Sequence, residues 1–268
     1  MDAYYINLDS AIKRNKIIQN QILNSNLSFE LHRFPAILGS DNSATKPETL
    51  SNGQWGCWLS HLEIIHNSLR HDDHLLILED DEYFDESLNM IVNPTQLTTE
   101  KDWDVLYLDA TFVETCDYIK LTRKINSTSS GEINVTPLEI NSTAYGTHAY
   151  IINKSSKYKV FEILRKNSHA GIPIDNVFCA AYQQKLINAA ITIPFIASPG
   201  EETAKSQIAI ESHPLAADWV KFRNLMSIHT IGAIDNTEKN SDVINIINSR
   251  NKFSLTGQFI PYNQILKY

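Results

Sequence analysis

The chain has 268 residues, 43% of them hydrophobic, and a formal net charge of −8; a chain this long buries roughly 70–75% of its unfolded surface, enough for one large α/β domain. The negative balance argues against general nucleic-acid binding and against adhesion to anionic lipid by bulk charge. Cys57, Cys116 and Cys179 are few, odd in number and widely spaced, which argues against a zinc ribbon or disulfide framework and for a reducing compartment.

Met1-Asp2-Ala3-Tyr4-Tyr5-Ile6 carries no basic region and no apolar stretch of signal length, and no run approaches the ~20 apolar residues of a membrane span. A cytoplasmic setting is the expectation. Ala3 to Leu8 reads as a strand. Asp9 and Ser10 are capping residues for a helix starting near Ala11, with Ile12, Ile18 and Ile22 on its buried face. Ser28 to Ile37 alternates as a second strand, whose central pairing Pro35 limits. Gly53 to Arg70 reads as a helix, with Trp55, Trp58, Leu59, Leu62, Ile65 and Leu69 at helical spacing.

Leu75-Leu76-Ile77-Leu78 then runs straight into Glu79, Asp80 and Asp81. A short continuous apolar run reads as a buried strand of a parallel sheet, and ligands of open α/β sheets bind beyond the carboxyl ends of such strands. Two like charges ~4 Å apart cost about 4 kcal/mol at an effective dielectric near 20, and about 1 in water. The cluster is therefore either a solvated loop or an enclosed site that wants a cation. Oxygen ligands of this density suit Mg²⁺ or Mn²⁺.

Trp103 to Leu108 reads as another strand, ending at Asp109. Thr122 to Gly131 reads as a polar, mobile insertion. Thr147 to Ile152 is a strand, and Ser155 to Lys166 an amphipathic helix with Val160, Phe161 and Leu164 inward. Asp175 is placed either to cap a helix running to Tyr182 or to act as a general base. Ala190 to Ile196 is a late strand. Residues 1–213 form the expected catalytic domain. Residues 214–268, with Trp219, Lys221, Phe222 and Arg223 close together, form an extension packed on it for acceptor, membrane or dimer contacts. Alternating strands and helices give an α/β fold: a Rossmann-type, mostly parallel sheet flanked by helices, with a less regular C-terminal region.

Asn7 and Arg14 stand where a strand end, a helix N-terminus and a guanidinium favour phosphate, although neither a Walker A motif nor Gly-x-Gly-x-x-Gly is present. Cys57 and His61, four apart with His66 following, have metal-ligand spacing. The Trp and aliphatic residues around them favour a packed helix with a hydrogen-bonded His. Asp109 reads equally as a second strand-end acid of the site or as a turn residue.

Taken in order, several stretches resemble glycosyltransferase family 25, the bacterial lipooligosaccharide galactosyltransferases and collagen galactosyltransferase domains. They are Tyr5-Ile6-Asn7-Leu8-Asp9 with Arg14, Arg33-Phe34-Pro35-Ala36 with Gly39, and Gly53-Gln54-Trp55-Gly56-Cys57-Trp58-Leu59-Ser60-His61. Leu76-Ile77-Leu78-Glu79-Asp80-Asp81, Gly146-Thr147-His148-Ala149-Tyr150-Ile151-Ile152 and Pro173-Ile174-Asp175 follow. The chain departs from the family at Leu38, where members often carry an acid.

The resemblance implies a GT-A-like fold, a UDP-sugar donor, Mn²⁺ or Mg²⁺, and inverting transfer of a hexose, often galactose, onto a glycan acceptor such as lipooligosaccharide. On that resemblance Glu79 and Asp81 are assigned to the metal. Asn7, Leu8, Arg14, Ala36, Gly39, Ser60, His61, Asp80 and His148 are assigned to the donor. Asp175 is the first choice of base and Asp109 the second. The expected partners are the donor, a glycan or lipid-linked oligosaccharide at the cytoplasmic face of the inner membrane, and a second copy of the chain, with no nucleic acid. Two other readings stay open: a non-catalytic glycan- or nucleotide-binding relative, and a metal-dependent phosphotransferase or phosphatase for which Asp9 is the candidate nucleophile.

Overall fold

The structure, a computed structural model, describes residues 1–91, 103–128, 132–203, 216–230 and 236–253. The chain opens with β1 (Asp2–Asn7), α1 (Ile12–Asn24) and β2 (His32–Pro35), followed by α2 (Asn52–Ser68), β3 (Leu75–Glu79) and the short β4 (Glu82–Tyr83). Next come β5 (Val105–Phe112), α3 (Thr115–Ser127), β6 (Asn134–Pro137), β7 (Ala144–Ile152), α4 (Lys157–Asn167) and α5 (Ile174–Gln183). The last elements are β8 (Ala189–Ile193), β9 (Ser198–Pro199), α6 (Ala216–Met226) and α7 (Asn236–Phe253).

Seven strands form one sheet in the order β2-β1-β3-β7-β5-β8-β6, and β4 pairs with β9 beside it. β1 is parallel to both β2 and β3, and β5 is parallel to β8, whereas β7 runs antiparallel between β3 and β5 and β6 antiparallel on β8. The sheet is thus mostly parallel in strand direction, with β6 and β7 reversed. Pro35 sits in β2, at the sheet's edge, where a missing N–H costs nothing.

Side chains of successive strand residues point to opposite faces, and β3 uses both. Leu75 and Ile77 join one apolar core with Trp55, Trp58, Ile64 and Ile65 of α2, Val160 and Leu164 of α4, and Val177 and Phe178 of α5. Leu76 and Leu78 join a second core with Ile18 of α1, Phe84 and Leu88. All four are fully buried, and each contributes about 1.5–3 kcal/mol of burial. The sheet is therefore covered on both faces, which explains why β3 reads as an unbroken apolar run.

Several sequence expectations change. Asp9 and Ser10 do not cap α1: its N-cap is Ala11, with no side-chain hydrogen bond, and Ile12 is 62% exposed. The expected polar insertion is largely α3, whose face of Tyr118, Leu121, Thr122 and Ile125 is buried; residues 129–131 lie outside the described residues. β5 does not stop at Leu108 but continues to Phe112, so Asp109 is a mid-strand residue and fully buried. The N-cap of α5 is Pro173, leaving Asp175 inside its first turn. The expected boundary at 213 falls outside the described residues.

Candidate active site

The carboxyl ends of β1, β2 and β3 point the same way, and the chain leaving them forms one cleft. Leu8, Ala11 and Arg14 follow β1, Ala36 to Ser40 follow β2, and Glu79, Asp80 and Asp81 close β3. The N-terminal half of α2 supplies the remaining wall through Asn52, Gly53, Gly56, Cys57, Ser60 and His61. This is the crevice at strand ends that open α/β sheets use for ligands.

The wall depends on close backbone contact. A Cβ on Gly56 would stand 2.4 Å from the Ile37 carbonyl oxygen, and one on Gly39 would stand 2.1 Å from that of Asn52. Ser60 fastens the same contact: its Oγ accepts the Ile37 N–H at 2.8 Å and donates to the Gly56 carbonyl at 2.7 Å. A capping box starts α2, with Ser51 and Gln54 satisfying each other's backbone N–H groups. The N-termini of α1 and α2 both reach the cleft, a setting that favours an anion.

Asp80 is tied on both oxygens, accepting from Asn7 Nδ2 at 2.6 Å and from the Arg14 guanidinium at 3.0 Å. Arg33 in turn donates to Asn7 Oδ1 at 2.9 Å. Burial raises the Asp80 carboxyl, and Asn7 and Arg14 only partly offset it. Asp81 is buried; burial first, then the Glu79 charge, pushes its carboxyl up to about 7. Its Oδ1 has no hydrogen-bond partner. The Asp81 carbonyl is held by the Gly200 N–H and by Thr203 Oγ1, each at 2.8 Å, so the segment after β9 fixes its backbone.

Glu79 faces another group. Burial raises its carboxyl, but His61, His148 and Thr147 together outweigh burial and bring it down to about 2. Thr147 Oγ1 donates to Glu79 Oε1 at 2.9 Å, and His61 Nε2 lies 3.5 Å from the same oxygen. Antiparallel β7 makes this possible by setting Thr147 and His148 just past the Leu78–Ala149 pair. Burial, then the charge of Arg223, lowers the His148 imidazole to about 4, so it is neutral above that pH.

The structure thus brings Leu8, Arg14, Ala36, Gly39, Ser60, His61, Glu79, Asp80 and Asp81 to one cleft, with Asn7 beneath it. His148 and Asp175 do not line it. The Asp175 charge still acts on Cys57 and Glu79, which do, and burial first raises the Asp175 carboxyl to about 6. Asp109 goes elsewhere, to a buried ion pair with Arg223 of α6, which also donates to Glu82 at 2.6 Å. Glu82 and Arg223 lie in none of the matching stretches, and Thr147 and Tyr150, although inside the Gly146–Ile152 stretch, are given no role by the sequence.

The sequence profile of glycosyltransferase family 25, described as an LPS biosynthesis protein, matches residues 1–178. The chain belongs to glycosyltransferase family 25. Every residue that lines the cleft falls inside the matched stretch, whereas Gly200 and Thr203, which hold the Asp81 carbonyl, lie beyond it. No curated protein sequence matches the chain. Among solved structures it is similar to galactosyltransferase LgtC in complex with donor and acceptor sugar analogs, at 12% identity and a TM-score of 0.38, over 84% of this chain and 95% of that one.

Proposed function

We propose that this family 25 glycosyltransferase is metal-dependent and inverting, and that it moves galactose from UDP-galactose onto a glycan acceptor of the lipooligosaccharide type. The observation that carries the reading is the meeting of Glu79, Asp80 and Asp81 with two helix N-termini in one cleft. Helix N-termini suit a diphosphate and clustered carboxylates suit the cation that accompanies it.

The donor set fits a hard divalent cation: Glu79 is held ionised, and Asp81 keeps a buried oxygen without a partner. Glu79 and Asp81 would hold Mn²⁺ or Mg²⁺, which when bound supplies Lewis-acid neutralisation of the leaving diphosphate. Asp80, fixed by Asn7 and Arg14, orders the turn that presents them. Gly39, Gly56 and Ser60 shape the nucleotide wall, and Leu38, 48% exposed, stands at its mouth. Asp175, behind the cleft wall but near enough for its charge to interact with Glu79, is the first candidate to take the proton from the acceptor hydroxyl, a step that contributes roughly 10²–10⁴-fold. Asp109 is the lesser candidate because Arg223 occupies it. Asp9, the nucleophile a phosphatase would need, is exposed and paired with Arg33 at 2.6 Å.

A lipid-linked acceptor would bring the chain to the cytoplasmic face of the inner membrane; among the described residues no helix is long and apolar enough to cross it. Replacing Asp81 tests the reading. Asp81→Asn is expected to keep the fold by circular dichroism and lose Mn²⁺-dependent turnover. A folded Asp81→Asn protein turning over at the wild-type rate contradicts it.

A further inference from the structure

The floor of the cleft holds a second kind of ligand set. Cys57 of α2, His61 one turn on, and Glu79 at the end of β3 each offer one ligand atom, and these atoms lie within 4.8 Å of one another. Cys57 and Glu79 are half-buried and line the cleft, whereas His61 is fully buried.

Two details distinguish this group from a packed histidine. His61 Nδ1 is engaged by Tyr150 OH at 2.9 Å, which orients the ring, while Nε2 is buried without a hydrogen-bond partner. Its separation from Glu79 Oε1, 3.5 Å, is long for a hydrogen bond. A tetrahedral ion with bonds of about 2.0 Å to nitrogen and oxygen and about 2.3 Å to sulfur sets its ligands roughly 3.5 Å apart. Thr147 Oγ1 braces Glu79 as Tyr150 braces His61, the outer support that metal ligands use.

We propose that Cys57 Sγ, His61 Nε2 and a Glu79 carboxylate oxygen form a site for a soft divalent cation of the Zn²⁺ class, with its fourth position open to the cleft. Sulfur and imidazole select Zn²⁺ over Mn²⁺ or Mg²⁺, which prefer an all-oxygen set. Binding exchanges the thiol proton for the metal, and that proton leaves to solvent. One consequence rests on the function proposed above: Glu79 belongs to both sets, so Zn²⁺ withdraws it and inhibits Mn²⁺-dependent turnover. Binding itself does not depend on that function.

Co²⁺ is the probe, because a thiolate bound to it gives an intense charge-transfer absorption. The Cys116→Ser chain is used beside the wild type, since Cys116 is an exposed free thiol. One equivalent of Co²⁺ is expected to give the band in both, Zn²⁺ to bleach it, and Cys57→Ser to lose it with its circular dichroism unchanged. If Cys57→Ser fails to fold, protection of Cys57 from alkylation by Zn²⁺ in Cys116→Ser protein gives the same answer. No band and no protection, or a band that survives in Cys57→Ser, overturns the site. UDP calorimetry with Mn²⁺ on the same protein separates the two readings: UDP binding without a Co²⁺ band removes only the soft site, and a band without UDP binding removes only the donor assignment.

Discussion

At the scale of single residues, acids of one chain are driven apart by their surroundings. Glu79 is held near 2 by His61, His148 and Thr147 against the effect of burial, whereas burial takes Asp175 up to about 6. A base whose carboxyl is raised must lose its proton before it can act, so with Asp175 in the proposed role activity is expected to fall as the pH drops through about 6. Asp175→Asn is expected to slow transfer by roughly 10²–10⁴-fold, while UDP affinity stays near the wild-type value. Equal losses in rate and in UDP binding would make Asp175 a structural residue. The position of Glu79, Asp80 and Asp81 at a strand's end was legible because apolar residues stop abruptly there. Asp109 misled for the same reason: Leu108 is followed by an acid, yet Ala110 and Phe112 continue β5 and are buried. What makes that acid tolerable inside a strand is an arginine 114 residues further on, which no local pattern announces.

At the scale of elements, the cleft is a contact between the loop after β2 and the first half of α2. Gly56→Ala drives a Cβ to 2.4 Å from the Ile37 carbonyl, a backbone atom with little freedom to yield. Overpacking of this kind costs about 1–3 kcal/mol. The variant is expected to lower the urea midpoint and to weaken UDP binding together; unchanged UDP affinity would detach this wall from the donor. The helical stripe of α2 was readable from its Trp and Leu spacing. The start of α3 was not, because its buried face begins at Asp117 and Tyr118, ahead of the polar window beginning at Thr122. The cap of α1 was misjudged because the helix begins after Ala11, past both capping residues, and exposed Asp9 pairs with Arg33 across the strand ends instead.

At the scale of the molecule, the segment beyond the family match is wired into the floor of the sheet. Arg223 is buried against Asp109 and Glu82, both fully buried themselves. Removing one partner of such a network leaves an uncompensated charge and costs about 3–5 kcal/mol. Arg223→Met is expected to lose that much stability in chemical denaturation. Adding Asp109→Asn and Glu82→Gln is expected to restore most of it, and no recovery would mean that the packing of α6, not its charge, supplies the stability. The mostly parallel sheet was legible from alternating strands and helices. The reversal of β7 was not, since a strand buried on both faces has the same apolar sequence in either direction. That reversal matters for chemistry, because it sets Thr147 and His148 beside Glu79.

The carboxylates at the end of β3 and the two helix N-termini are proposed to bind a metal–nucleotide diphosphate together. Calorimetric titration of the purified chain with UDP, first with Mn²⁺ and then with EDTA, is the test. Saturable UDP binding with Mn²⁺ that EDTA abolishes and that Asp81→Asn lacks is the expected result. UDP binding of equal strength with and without metal, or none in either condition, would contradict it.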